Sequence, residues 1–192
     1  SANMSLSSTS LGLQFWSKYV KLINVQAIAT LSSTDKTGIV PMTTTPPYTL
    51  DLTPLRDAIQ SLEDGIEVVS DLSWLNQQNH KVRNTLIAGV IQNFEFVYEI
   101  CVKMLRRQLE LEAASPEEID HSSFRDLLRY GGEKGLLNDV EAWLGYRQMR
   151  NITSHTYDHE KAERVWQQTK VFIHDARKLL QRLEARNATP LA

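Results

Sequence analysis

The sequence predicts an all-α protein, an antiparallel up-and-down bundle of four to five helices. Three observations carry that expectation. Apolar residues from Leu55 onward recur at spacings of three and four, the period of a one-sided helix. Capping and stop residues punctuate the patterned stretches. No segment alternates with the period of two that marks a strand. Helical hairpins of this length pack side by side with reversed direction.

Residues 1–50 read as an N-terminal extension ending in a Pro/Thr linker. They are rich in Ser and Thr and contain no acidic residue before Asp35. Phe15, Tyr19, Leu22 and Val25 fall at helical spacing and predict a short helix. Lys18 and Lys21 interrupt the apolar run Leu11–Leu31, which makes it a poor signal core, and too few Arg are present for a transit peptide. Pro41–Pro47 favours extended backbone. Ser1–Asn3 reads as a cloning remnant, and Met42 offers an alternative start just ahead of the first strong helix.

Residues 51–187 are then expected to form the bundle, and 188–192 a tail. Thr53 before Pro54 reads as an N-cap with proline in the first helical position. Leu55, Ile59, Leu62, Ile66, Val69 and Leu72 fall on one face of that helix. A second helix is expected over Lys81–Leu111. It is apolar over most of its circumference, through Leu86, Ile87, Val90, Ile91, Phe94, Val97, Tyr98, Cys101 and Leu105, so it belongs at the centre or against a second subunit. One polar stripe crosses it: Gln92, Glu95, Glu99, Lys103 and Arg106. Ser115-Pro116-Glu117-Glu118 opens a short turn. Ser123 with Asp126 caps a further helix, ended by Gly131 and Gly132. Asn138 with Glu141 opens the next, which carries Val140, Trp143, Leu144 and Arg147. Asp158 is placed to cap the last, whose buried face is Ala162, Val165, Phe172, Ala176, Leu179 and Leu183.

Composition narrows the function classes. The 192 residues suffice for one domain with a real core, and 42% hydrophobic with 23% charged content is that of an ordinary globular protein. A net charge of -2 argues against a polyanion binder that works by bulk charge. The single Cys101 forms no internal disulfide and suits a reducing, cytoplasmic location. No apolar stretch approaches the length of a membrane span, so no membrane partner is expected.

The segment Arg150-Asn151-Ile152-Thr153-Ser154-His155-Thr156-Tyr157-Asp158 concentrates the chemistry. It sets a permanent cation, an imidazole and a phenol between two helices. Arg150 and His155 lie about 140° apart on a regular helix. They face one pocket only if the helix ends between them or a second copy completes the site. Asn151 and His155, four apart, share a face. Metal-free RNA cleavage needs such a set: a base for the 2′-hydroxyl proton, an acid for the departing oxygen, and a cation on the phosphate. Imidazole serves as acid or base near neutral pH, and guanidinium grips two phosphate oxygens.

From about Leu52 to Leu183 the chain resembles the HepT-like HEPN family, also called nucleotidyltransferase substrate-binding proteins. The resemblance is carried by Arg83-Asn84-Thr85-Leu86-Ile87 and by the run Gln92 to Glu99. Phe124-Arg125-Asp126-Leu127-Leu128 and Glu141-Ala142-Trp143-Leu144 extend it, and the Arg-x4-His-x-Tyr stretch from Arg150 to Tyr157 anchors it. It implies a homodimeric bundle in which Arg150 and His155 of both subunits line a cleft. In the family's toxins that cleft is a metal-independent ribonuclease site. It also implies a partner, a minimal nucleotidyltransferase acting as antitoxin, which transfers AMP from ATP to the tyrosine, here Tyr157. Added negative charge beside Arg150 would compete with a substrate phosphate.

The expected assignment is therefore a ribonuclease toxin with RNA as substrate. His155 is the acid/base, Arg150 stabilises the phosphate, Asn151 orients the site, and Tyr157 is the modification target. Gln92, Glu95 and Arg83 are candidates to border the cleft. The rival is a non-catalytic subunit that presents substrate to a separate nucleotidyltransferase, with Arg150 and His155 holding a phosphate. No cofactor is expected. No metal is expected either, because Asp158 as a cap breaks the His155/His159 pairing. Glu95 and Glu99 read as a solvated stripe or a helix–helix salt bridge sooner than as paired catalytic carboxylates. Phe94, Trp143 and Trp166 read as core. Lys103, Arg106 and Arg107 suit an RNA backbone or a solvated helix end equally. Gly131, Gly132 and Gly135 follow no strand and make no phosphate loop.

Overall fold

The computed structural model describes residues 49–153 and 159–188, all within the unit Thr45–Ala192. The expectations for the extension and for the Asp158 cap lie outside the described residues. Among the described residues there are seven helices and no strand: α1 (Thr53–Ser70), α2 (Leu72–Leu75), α3 (His80–Glu112), α4 (Pro116–Asp120), α5 (Phe124–Glu133), α6 (Val140–Thr153) and α7 (His159–Ala188). Only α2 and α4, of 4 and 5 residues, are single turns. Five longer helices make the all-helical bundle.

Thr53 is the first residue of α1 and not its cap. Leu52 holds the cap position without a side-chain bond, and the Asp51 carboxylate accepts the Thr53 N–H at 3.0 Å. A carboxylate two residues ahead satisfies an amide as well as a capping hydroxyl would. The apolar face of α1 buries Leu55, Ala58, Ile59, Leu62 and Val69. Leu72 leaves that face, 62% exposed. Asp71 breaks the helix and accepts the Trp74 N–H at 3.0 Å, restarting the chain as α2 out of register.

Asn79 caps α3 by accepting the Val82 N–H at 3.0 Å. By length and composition α3 would suffice to cross a bilayer, contrary to the reading that no stretch approaches a span. In the bundle its central residues Phe94, Val97, Cys101 and Leu105 are fully buried, and α1, α4, α5, α6 and α7 all pack on it. It is the central helix that its apolar circumference demands.

Ser123 caps α5 as expected, accepting the Asp126 N–H at 3.2 Å and donating to that carboxylate at 2.7 Å. The stop comes later than Gly131 and Gly132, which lie inside the helix. Gly135 supplies it with φ 71°. Leu136 N–H bonds the Gly131 carbonyl at 2.8 Å and Gly135 N–H the Gly132 carbonyl at 2.9 Å, the paired closure that needs a left-handed residue. Gly131 is small for packing: a Cβ there would lie 3.1 Å from Leu105 and Leu137 side-chain atoms. At the start of α6 the capping carboxylate is Asp139, which accepts the Ala142 N–H at 2.9 Å. Asn138, one residue too early, accepts a hydrogen bond from Arg182 instead.

Helices α1, α3 and α7 pack on one another, and α6 packs on α3, α5 and α7. Phe172 of α7 is the hub. Its ring meets Phe94 edge-on at 4.9 Å, Tyr146 at 5.0 Å and Trp143 at 6.0 Å. Val165, Phe172, Ala176, Leu179 and Leu183 are buried, as the periodicity predicts. Ion pairs between α1 and α7, Arg56 to Glu184 and Arg177 to Glu63, rim that core.

Candidate functional site

The last two turns of α6 present the polar segment. Trp143, Tyr146 and Met149 are buried at successive spacings of three, which holds that face of α6 against the bundle. Tyr146 Oη donates to the Asp175 carboxylate of α7 at 2.7 Å. With that face fixed, Arg147, Asn151 and Ile152 are exposed and Arg150 is half-buried. Arg150 is the basic residue of the last turn, where the negative end of the helix dipole favours a cation.

Arg150 meets α3. Its Nε donates to Glu99 Oε1 at 2.8 Å, across 51 residues of sequence, and both side chains are 40% exposed. Glu95 lies one turn away on the same stripe and accepts from Gln92 Nε2 at 3.2 Å. Tyr98, beside Glu99 in the chain, is 4% exposed, and its hydroxyl has no hydrogen-bond partner among the described residues. Burial, and then the neighbouring Glu99, push Tyr98 well above the ordinary phenol range, while Arg147 and Arg150 pull the other way. Tyr98 is therefore neutral and adds no second anion beside Glu99. Arg147 lies with its guanidinium 4.1 Å over the ring of Phe124.

The structure thus brings Arg150 to Glu99, which makes Glu99 the helix–helix salt bridge that the sequence offers as one of its two readings. Glu95 and Gln92 lie along the same stripe. Arg83 does not join them in one protomer: it is about 24 Å along the axis from Glu99, at about 1.5 Å per residue. Asn151 is exposed at the end of α6. His155 and Tyr157 lie outside the described residues. The described part of α6 runs to Thr153, and Arg150 is the basic residue of its last turn.

The Arg106 guanidinium donates to the Ile119 carbonyl of α4 at 2.8 Å, so it also ties α3 to α4. Arg107 is paired with Glu110 at 3.1 Å. Phe94, Trp143 and Trp166 are core, as expected. Among the described residues no cluster of His, Cys, Asp and Glu has the makings of a metal site.

Comparison with known proteins places this geometry in context. The family described as nucleotidyltransferase substrate binding protein like matches residues 50–185. A Haemophilus influenzae protein named "Probable ribonuclease HepT" is 46% identical over 138 residues, covering 72% of this chain and 94% of that protein. A solved structure from Haemophilus influenzae, described as revealing the fold of a substrate binding domain of a nucleotidyltransferase, superposes with a TM-score of 0.69 at 45% identity. That match covers 70% of this chain and 99% of the other.

Proposed function

The chain belongs to the nucleotidyltransferase substrate binding protein like family, and from that membership we propose that it is a HepT-type ribonuclease, cutting RNA without a metal as a homodimer. The observation that carries the reading is the setting of Arg150. It is held by Glu99 in the last described turn of α6, five residues before His155 in the sequence. The name of the 46% identical relative supports the same reading.

In the proposed reaction one His155 takes the proton of the 2′-hydroxyl, and the 2′-oxygen attacks phosphorus. The bond from phosphorus to the 5′-oxygen breaks, and the second subunit's His155 protonates that leaving oxygen. The products are a 2′,3′-cyclic phosphate and a 5′-hydroxyl. Arg150 holds the non-bridging oxygens while charge builds on them, and Asn151 orients the site. A partner nucleotidyltransferase moves AMP from ATP to the Tyr157 oxygen, releasing pyrophosphate. The new phosphate competes for Arg150 and silences the site, so the two proteins form a toxin–antitoxin pair in the cytoplasm.

RNA cleavage in EDTA by purified protein and by His155→Ala, with the intact mass of each recorded, tests this. Cleavage by wild type alone, with 2′,3′-cyclic ends, is the expected result. The second reading, a non-catalytic substrate-binding subunit, is favoured by the description of the structural relative. A folded, unmodified wild-type dimer that leaves RNA intact would decide for it.

A further inference from the structure

We propose that Glu99 is a positioning residue for this reaction, acting through Arg150; the proposal rests on the ribonuclease reading above. A carboxylate 2.8 Å from the guanidinium that grips phosphate is an anion at an anion site. It repels the substrate, so its presence there needs a reason. Stapling α6 to α3 is a poor one. The pair is 40% exposed on both sides, a setting in which ion pairs add little stability. The helix is already held by Trp143, Met149 and the bond from Tyr146 to Asp175.

What Glu99 does accomplish is geometric. An arginine side chain has many rotamers, and its fork is useful only when its plane is aimed. Glu99 takes the Nε–H, the donor nearest the aliphatic stem, and so fixes the plane of the guanidinium at the end of α6. Its own carbon chain rises from α3 next to buried Tyr98, a rigid base in the centre of the bundle. Tyr98 stays neutral beside it and adds no second anion there. Geometry and charge therefore pull in opposite directions on the reaction, and two substitutions separate them.

The experiment follows the Arg150 Nε–H signal by nitrogen NMR, together with kcat and KM for RNA, in wild type, E99A, E99Q, R150A and the E99A/R150A double variant. E99A is expected to lose the ordered Nε–H signal and to drop kcat on the order of tenfold to a hundredfold, the usual size of a misplaced catalytic group, without raising KM. E99Q keeps an oxygen that accepts from Nε and removes the charge. It should recover most of kcat and lower KM by about twofold to fivefold, the strength of one exposed charge pair. The double variant should be no worse than R150A. A folded E99A with wild-type kcat, an unchanged Nε–H signal in E99A, or a double variant with additive losses each overturns the proposal. If wild type cleaves no RNA, the ribonuclease reading falls instead, and the Nε–H signal alone decides whether Glu99 aims Arg150.

Discussion

Replacing Tyr98 by Phe removes one buried hydroxyl and little else. The hydroxyl has no hydrogen-bond partner among the described residues, and Tyr98 is 4% exposed. A buried polar group left unsatisfied costs about 1–3 kcal/mol. The ring keeps its neighbours, Phe94 at 6.2 Å, Phe172 at 6.4 Å and Trp143 at 6.5 Å. The gap left by one oxygen offsets a fraction of the gain, at about 24 cal/mol per Å³ of cavity. Tyr98→Phe should therefore stabilise the protein by about 1 kcal/mol, which raises Tm by about 3 °C in a domain of this size. A second arm uses alkali. The folded pKa of Tyr98 is raised above its ordinary value of 10.0, so the fold keeps a proton that the unfolded chain releases. The stability linked to that proton is complete below pH 10 and falls above it, by about 1.4 kcal/mol per pH unit for each such group. Tyr146, raised by burial and by its bond to Asp175, and buried Cys101 behave alike. Tyr98→Phe deletes one of these three slopes, so its advantage should widen above pH 10. Urea and thermal unfolding at neutral pH and at about pH 11 measure both effects. A variant less stable than wild type by about 1 kcal/mol, or one with an identical alkaline slope, would refute the reasoning.

Gly135→Ala should destabilise by about 1–2 kcal/mol, because a left-handed residue with a Cβ is strained there. Among the described residues no atom beyond its chain neighbours lies within 4 Å of the added carbon, so the loss belongs to the backbone. Gly135→Asn, which tolerates that conformation better, should recover part of it in the same thermal melt. Asn187→Ala should cost about 1–3 kcal/mol, from the loss of two side-chain hydrogen bonds to the Leu50 backbone at 3.0 and 2.8 Å. Hydrogen exchange should then speed up at the Leu50 amide well before it does in the centre of α3. Unchanged exchange at Leu50 would show that the clamp is not what holds the start of α1.

Much of the fold is legible because the dominant signal is apolar spacing, and burial responds to spacing directly. The faces of α1, α3 and α7 were each readable from residues three and four apart, and Phe172 is buried where that period puts it. Errors gather at helix ends, where a single hydrogen bond decides. Asp51 does the work expected of Thr53, Asp139 that expected of Asn138, and Gly135 that expected of Gly131 and Gly132. In each case two or three neighbouring residues offer the right chemistry, and only the backbone angle chooses among them. Leu72 fails for the same reason, since Asp71 ends one helix and begins another.

The site divides along a different line. Arg150 and Asn151 stand out in the sequence through the Arg-x4-His-x-Tyr stretch of the family resemblance, since interhelical ion pairs and caps place the same residue types at helix ends. Glu99 was legible only as a choice between a solvated stripe and a helix–helix salt bridge, because a glutamate in a polar stripe has the same local pattern whether it faces water or an arginine 51 residues away. A long-range partner leaves no trace in local spacing. It appears only when α6 is laid against α3, and that placement depends on Trp143, Tyr146 and Met149, which carry no chemistry of their own. The apolar residues of α6 thus act on the site at one remove, by deciding which acid its arginine meets. A substitution at Tyr146 that loosens α6 from Asp175 should therefore reproduce, in weaker form, the kinetic signature of E99A, with kcat falling while KM is not raised. A Tyr146→Phe variant with unaltered kcat would show that the aromatic packing alone sets the angle of α6, without the hydrogen bond.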